Sequence, residues 1–264
     1  MAVSAKPVKN REGRMSLGAH LREFRKRLFI SALGIVLAMI VGFIFSRQAI
    51  AAISQPIKQL STTGTALLNF DTVTSPFDLQ MKVALTIGVV LSSPVWLSQI
   101  WAFFMPALTR KEKLYAAGFV GAAIPLFLAG CVAGWLVFPH IVEVMAWFTP
   151  EGAANIYQAG YYYDFVLRLI LAVGIAFVLP VLLVLLNFVG VLSAKGIIGG
   201  WRWAILIIAL FCAAATPAAD IASMFLLAIP MVVLYFGAWA VAWMHDRRVA
   251  KRDAAAALDP EGAK

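Results

Sequence analysis

The sequence predicts an all-α membrane protein with six transmembrane helices, proline kinks and both termini in the cytoplasm. Three observations predict this class: the composition, the length of the apolar runs and the one-sided distribution of Lys and Arg. Of the 264 residues, 62% are hydrophobic and 13% are charged, whereas soluble domains are about 45–50% apolar and about 25% charged. The composition therefore excludes a water-soluble enzyme and a disordered protein.

Six apolar stretches give the predicted helices, because a helix needs roughly 20 residues to cross the hydrocarbon core. The fifth stretch is short and rises only about 22 Å, so we expect it to thin the bilayer or to lie against partner helices. Kinks are expected at prolines inside four of the stretches, Pro94, Pro125, Pro180 and Pro230. The stretches lie near residues 28–46, 79–107, 115–138, 164–189, 201–216 and 221–243.

These spans are expected to form one domain, residues 16–244. Flexible tails are expected on either side, a basic one at residues 1–15 and a cytoplasmic one at residues 245–264. The apolar run that starts at Leu28 is longer than the roughly 7–15 residues of a signal-peptide core. It is therefore predicted to be an uncleaved first span.

The basic residues predict the orientation. Residues 1–27, residues 110–113, the loop 190–202 and the C-terminal tail together hold 18 of the 22 Lys and Arg. Cytoplasmic segments of membrane proteins carry such an excess. Both termini are therefore expected in the cytoplasm, with the long loops 47–78 and 139–163 on the outer side.

Catalytic chemistry has no support in the sequence. Motifs of common hydrolases, nucleotide-binding loops and metal sites do not occur, so we predict no catalytic residue, metal or cofactor. Cys131 and Cys212 lie inside apolar runs and are interpreted as buried packing residues. Gln99 and Asn187 are interpreted as interhelical hydrogen-bonding groups within spans.

Two acid–base pairs stand at the outer ends of spans two and four. Asp78 precedes Lys82 by four residues, and Asp164 precedes Arg168 by four. This order is the favoured pairing within a helix, so each pair is interpreted as a neutralised entry to the membrane. A functional reading stays open because intramembrane charges often mark transport pathways.

Two acids on the basic side stand among basic residues next to predicted spans. Glu23 lies among four bases and Glu112 among three. One interpretation is a local salt bridge in each case, such as Glu23 with Arg27. The alternative is that both carboxylates accept cationic side chains of a partner at the membrane surface, since a carboxylate matches a guanidinium with two hydrogen bonds.

Several segments of the chain are similar to the motifs of one known family and occur in the same order. The first is an N-terminal pattern of His20, Leu21, Glu23, Arg25, Arg27 and Leu28, and it is followed by Pro56 to Leu60, by the stretch from Ser93 to Leu108 with Glu112 after it, and by Thr216 and Asp220. Together they cover roughly residues 15–244. This pattern resembles TatC, the multispanning receptor subunit of the twin-arginine protein translocase of the bacterial cytoplasmic membrane.

The resemblance implies a site on the cytoplasmic side that binds Arg-Arg signal peptides of folded proteins. It implies that Glu23 and Glu112 read the two arginines, with Arg25, Phe103 and Pro94 nearby. It also implies functional positions in the outer loops at Pro56 and Phe77. Family members often carry a glutamate just before the span-four proline, but this chain has Val178 there, so no role of that glutamate is carried over.

The same resemblance implies partners and an energy source. The partners are single-span TatA and TatB proteins, signal peptides and the lipid bilayer, in homo- and hetero-oligomers without nucleic acid. Transport is expected to use the proton motive force. Because the fifth span is short, we expect partner helices to dock near spans four to six, at Thr216 and Asp220.

Two other functions are alternatives to this one. Proline-broken helices and charges at span entries motivate a small-solute secondary transporter, although such carriers usually place polar groups at the midplane and often show internal repeats. An intramembrane enzyme is the weaker alternative, since Tyr163-Asp164 lacks the Gly-x-Gly-Asp partner of an intramembrane aspartyl protease.

Overall fold

The computed structural model describes residues 17–62, 66–104, 110–150, 155–215 and 221–258. Within these ranges the chain is almost entirely helical, with one pair of short strands. The helices are α1 (Leu17–Ile53), α2 (Gln55–Thr62), α3 (Ser75–Leu91), α4 (Ser93–Phe104), α5 (Arg110–Trp147), α6 (Ala159–Phe188), α7 (Ala194–Gly199), α8 (Trp201–Ala215) and α9 (Ile221–Leu258), and the strands are β1 (Ala66–Asn69) and β2 (Asn155–Gln158).

The helices confirm the predicted all-α membrane class. Four segments of the described chain, in α1, α5, α6 and α9, are long and apolar enough to cross a membrane, and α3 with α4 gives a fifth if the two count as one bent span. The expected fifth span is the shorter apolar helix α8, 15 residues long. By length and composition the structure thus shows four or five spans, and the count of six stays a prediction.

The second expected span is broken where the sequence places Pro94. Helices α3 and α4 meet at a bend of 58°, and Pro94 is the second residue of α4. Proline lacks the N–H that would bond the carbonyl four residues earlier, and its ring crowds that carbonyl. The indole N–H of Trp96 donates to the Val89 carbonyl at 2.9 Å across the break. Helices α5, α6 and α9 continue through Pro125, Pro180 and Pro230.

Glycines let the long helices approach each other closely. A Cβ atom on Gly88 of α3 would lie 2.9 Å from the Met39 Cα of α1, and one on Gly130 of α5 would lie 2.8 Å from the Gly174 Cα of α6. Small residues are the usual means of close helix packing in membranes, where lipid offers no hydrophobic drive. The α1–α3 and α5–α6 pairs are therefore packed backbone to backbone.

The two long loops pair at one end of the bundle, which we call the loop face: α2, β1, β2 and the starts of α3 and α6. Strands β1 and β2 run parallel, with Ala66 opposite Asn155. The Tyr162 hydroxyl donates to the Ile53 carbonyl at 2.7 Å, which ties the start of α6 to the end of α1. Sequence reasoning did not predict these strands, because four-residue segments inside loops carry no periodic signal.

The opposite end, which we call the basic face, holds the start of α1, the end of α4, α7 and the last turns of α9. Here the boundary expected at residue 243 differs from the structure, because α9 continues to Leu258. Residues 245–258, expected as part of a flexible tail, are helical. Their run of alanines and basic residues has high helix propensity, which sustains a helix beyond the apolar segment.

Candidate functional site

The start of α1 places four charged or aromatic side chains on one side of the helix. His20, Glu23, Phe24 and Arg27 are spaced three and four residues apart, so they share one helical face. Arg25, two residues from Glu23, lies about 200° around the helix and is exposed. The structure therefore does not bring Arg25 to the Glu23 carboxylate.

The Glu23 carboxylate is only half paired. Arg27 donates to its Oε1 atom from Nη2 at 2.5 Å and from Nε at 3.1 Å. The Oε2 atom is buried and has no hydrogen-bond donor among the described residues. The Glu23 side chain as a whole is 19% exposed. A buried carboxylate oxygen without a donor is energetically costly, so this atom is suited to accept a charged donor from outside the chain.

Aromatic rings form a wall beside this carboxylate. The Phe103 ring of α4 stacks on His20 with centroids 4.3 Å apart, and it meets Phe24 edge-on at 5.5 Å. These contacts fix the end of α4 against the start of α1. They also lower the local dielectric, which strengthens any ion pair formed at Glu23.

The other predicted residues of the signal-peptide site are spread out. Pro94 is exposed at the bend, at the opposite end of α4 from Phe103. Glu112 lies in the first turn of α5, and its side chain falls outside the described residues. Only Glu23 and Phe103 of the predicted set are therefore seen together.

The predicted outer-loop and docking residues are placed as follows. On the loop face, Pro56 is buried in α2, and Phe77 is 64% exposed in the first turn of α3. Thr216 and Asp220 lie outside the described residues, so the docking position predicted there is not part of the described site.

On the loop face the two predicted acid–base pairs join into one network. Lys82 Nζ lies 3.0 Å from Asp78 Oδ2 and 3.1 Å from Asp164 Oδ1. Arg168 Nη2 lies 3.8 Å from Asp164 Oδ2. Both pairs within a helix are confirmed, and the link from Lys82 in α3 to Asp164 in α6 is an addition that sequence spacing alone could not show.

Comparison with known proteins assigns the family. The model of a family described as Sec-independent protein translocase protein (TatC) matches residues 19–230. This chain belongs to the TatC family. The translocase protein TatC of Xylanimonas cellulosilytica is 44% identical over 256 residues, which cover 96% of this chain and 93% of that protein. The chloroplastic TATC of Arabidopsis thaliana is 32% identical over 87% of this chain and 66% of its own length.

A solved structure of the family has the same fold. A crystal structure described as the twin arginine translocase receptor TatC in DDM superposes with a TM-score of 0.72 and 30% identity, covering 84% of this chain and 99% of that one. The predicted resemblance to TatC is thereby confirmed. The chain is a multi-helix membrane protein of a Sec-independent translocase family.

Sequence reasoning missed one polar cluster on the basic face of this TatC-family chain. Asp246 of α9 accepts from the Ala194 backbone N–H at 2.8 Å and from Asn187 Nδ2 at 2.9 Å. Asn187 is 3% exposed and also donates to the Leu192 carbonyl at 2.9 Å. The interhelical hydrogen bond expected of Asn187 is confirmed. Its acceptor could have been suspected, since Asp246 is the first acid after the last apolar run.

Proposed function

We propose that this chain binds twin-arginine signal peptides of folded proteins, with the Glu23 carboxylate accepting one of the two arginines. The observation that carries the proposal is the buried Glu23 Oε2 atom, which has no donor among the described residues. The structurally similar protein whose crystal structure is known is described as a twin arginine translocase receptor, which supports the same assignment.

The chemistry at the start of α1 favours an arginine from outside. Arg22, Arg25 and Lys26 are exposed around the site and repel a cation unless a carboxylate attracts it. A guanidinium presents N–H donors in a planar fork that matches a carboxylate oxygen in a region of lowered dielectric. Because Oε2 is covered in the free chain, binding requires a local side-chain movement.

A second carboxylate would complete the recognition of two arginines. Glu112 follows Phe103 by nine residues along the chain. Only five residues separate the end of α4 from the start of α5, which limits how far Glu112 can lie from Phe103. We assign the second arginine to Glu112 on the family resemblance. Arg25 is then a surface residue whose positive charge influences how the signal peptide approaches the site.

The proposed topology has six spans, with the basic face in the cytoplasm and the loop face outside. A folded cargo domain of 100 residues has a radius of gyration of about 13 Å, and six helices roughly 10 Å wide cannot enclose it. This chain therefore acts as receptor and organiser, and single-span TatA- and TatB-type partners supply the passage, driven by the proton motive force.

Partner helices are proposed to dock along α6, α8 and α9. An apolar cleft of about 430 Å³ opens there, lined by Pro180 and Leu183 of α6, Trp203 and Ile207 of α8, and Met231 of α9. Thr216 and Asp220, the docking residues predicted from the sequence, follow the last residue of α8 along the chain. Crosslinks from partner helices that map only to α1, α3 and α4 would refute this docking position.

The test of signal recognition is photo-crosslinking of a twin-arginine signal peptide to the full chain in membranes. Glu23→Ala and Glu112→Ala are expected to lose most of the crosslink, and Glu112→Asp is expected to keep part of it because the charge remains. The matched control is Asp78→Asn, which removes an acid from the loop face. Wild-type crosslinking by both alanine variants would overturn the proposal.

A further inference from the structure

A cleft on the loop face combines a mostly apolar lining with a basic side chain that has one long ion-pair contact. It lies between α6 and α8 and has a volume of about 530 Å³. Phe165, Leu169 and Ala172 line it from α6, and Phe211 and Ala214 line it from α8. Arg168 and Asp164 stand among these apolar groups. None of the residues assigned to signal recognition lies in this cleft.

Arg168 has unused hydrogen-bonding capacity. Its side chain is 83% exposed, and among the described residues its ion pair is a single contact of 3.8 Å to Asp164 Oδ2. That oxygen already accepts from Lys82 Nζ at 3.3 Å. A guanidinium carries five N–H donors, so most of the donors of Arg168 have no acceptor from the described chain. In a membrane such a cation requires an anion or water.

The geometry of α8 brings lipid headgroups to this cleft. The helix ends at Ala215, which also lines the cleft. Its 15 residues rise about 22 Å, less than the roughly 30 Å of hydrocarbon. A bilayer beside a short helix thins to match it, which draws the headgroups of the adjoining leaflet inward. Arg168, nine residues into α6, lies about 13 Å from the start of that helix.

We propose that the cleft between α6 and α8 binds one anionic phospholipid, whose phosphate pairs with Arg168 and whose acyl chain lies between Phe165 and Phe211. The apolar lining favours a lipid over free phosphate, and the guanidinium favours an anionic headgroup over a choline headgroup. The hydroxyl of Tyr161, which also lines the cleft, is an additional donor for the headgroup. The site requires only membrane insertion and is independent of signal-peptide binding.

Asp164 gives the proposal a test of sign. Its carboxylate competes with the lipid phosphate for Arg168, because the two anions approach the same guanidinium. Neutralising Asp164 should therefore strengthen lipid binding, whereas neutralising Arg168 should weaken it. A cleft that binds lipid only through its apolar walls would respond to neither change.

The experiment is a titration of the purified, delipidated full chain with phosphatidylglycerol, followed by native mass spectrometry. Arg168→Gln is expected to weaken the first bound phosphatidylglycerol about tenfold, as for loss of a hydrogen bond to a charged group. Asp164→Asn is expected to tighten it. Arg47→Gln removes an exposed arginine of α1 that does not line the cleft, and it should leave the affinity unchanged.

Parallel titrations separate the possible ligands. Phosphatidylcholine should bind more weakly than phosphatidylglycerol, and equimolar inorganic phosphate should not displace the lipid. Wild-type affinity in Arg168→Gln would overturn the proposal. So would equal binding of phosphatidylcholine, or displacement by equimolar phosphate. The thermal stability of every variant is measured in parallel, so that loss of fold is distinguished from loss of the site.

Discussion

The acids at the two ends of this bundle look alike in sequence and differ in structure. Glu23, Asp78 and Asp164 each precede a base by four residues. On the loop face, Lys82 and Arg168 satisfy the two aspartates in one network. On the basic face, one carboxylate oxygen of Glu23 pairs with Arg27, and the other is buried without a donor among the described residues. Spacing identifies a salt bridge, but only the surroundings show whether it is complete.

The difference separates a stabilising acid from one held for a ligand. A carboxylate with all its partners in place contributes stability and has little left to offer an incoming cation. An incomplete buried carboxylate costs stability in the free chain and regains it when a cation binds. Functional sites commonly carry such a local cost. Substitutions at Glu23 and at the loop-face acids should therefore differ in their effect on stability.

The largest effect is expected on stability at Asp164. Asp164→Asn removes the charge that pairs with both Lys82 and Arg168 and should lower the free energy of unfolding by about 1–2 kcal/mol. Glu23→Gln should cause a smaller loss, because only one oxygen of the carboxylate that it neutralises is paired. Thermal unfolding of both variants in the same detergent measures this contrast. A larger loss for Glu23→Gln than for Asp164→Asn would contradict it.

A smaller effect is expected from the bend that positions Phe103. Trp96→Phe keeps a ring against Phe127, which Trp96 meets edge-on at 5.2 Å, but removes the indole donor to Val89. We expect a loss of about 1 kcal/mol in stability and weaker crosslinking of the signal peptide, because α4 carries Phe103 to the Glu23 site.

The control for this prediction is Trp135→Phe. Trp135 also meets a phenylalanine edge-on at 5.2 Å, in this case Phe138 within α5. It lies away from the bend, so its replacement should leave signal-peptide crosslinking unchanged. Equal crosslinking by Trp96→Phe and the wild type would show that the indole bond does not position Phe103.

The smallest effect is expected at Asp246, an acid on the basic face with partners at both oxygens. Asp246→Asn weakens its bonds with Ala194 and Asn187 and should raise amide hydrogen exchange in α7, for a local cost of about 0.5–1 kcal/mol. Signal-peptide crosslinking should stay at the wild-type level. If Asp246→Asn reduced crosslinking as far as Glu23→Ala, position on the basic face would matter more than an unpaired oxygen.

Much of this fold could be predicted from local sequence. Apolar runs gave the long helices, and Pro94 marked the break that the structure shows as a 58° bend. The buried state of Cys131 and Cys212 was also predicted and is confirmed. These features depend on residues within one segment, so a single sequence contains the information.

The remaining features depend on contacts between distant segments. The bond from Lys82 to Asp164 spans 82 residues and that from Asn187 to Asp246 spans 59, so neither has a local signature. At the candidate site, the family pattern pointed to Glu23 and Phe103, but not to the covered Oε2 atom or the ring stack on His20. The ring stack arises from the packing of α4 on α1.

The unbroken course of α9 has a mechanical consequence. Residues 245–258 extend the helix by about 21 Å, and Asp246 clamps the base of this extension to α7. Because the helix is held at Asp246, a tilt of α9 at this point displaces Leu258 more than it displaces the residues near Asp246. A fluorophore attached at Leu258 would therefore report movements of α9 within the bundle.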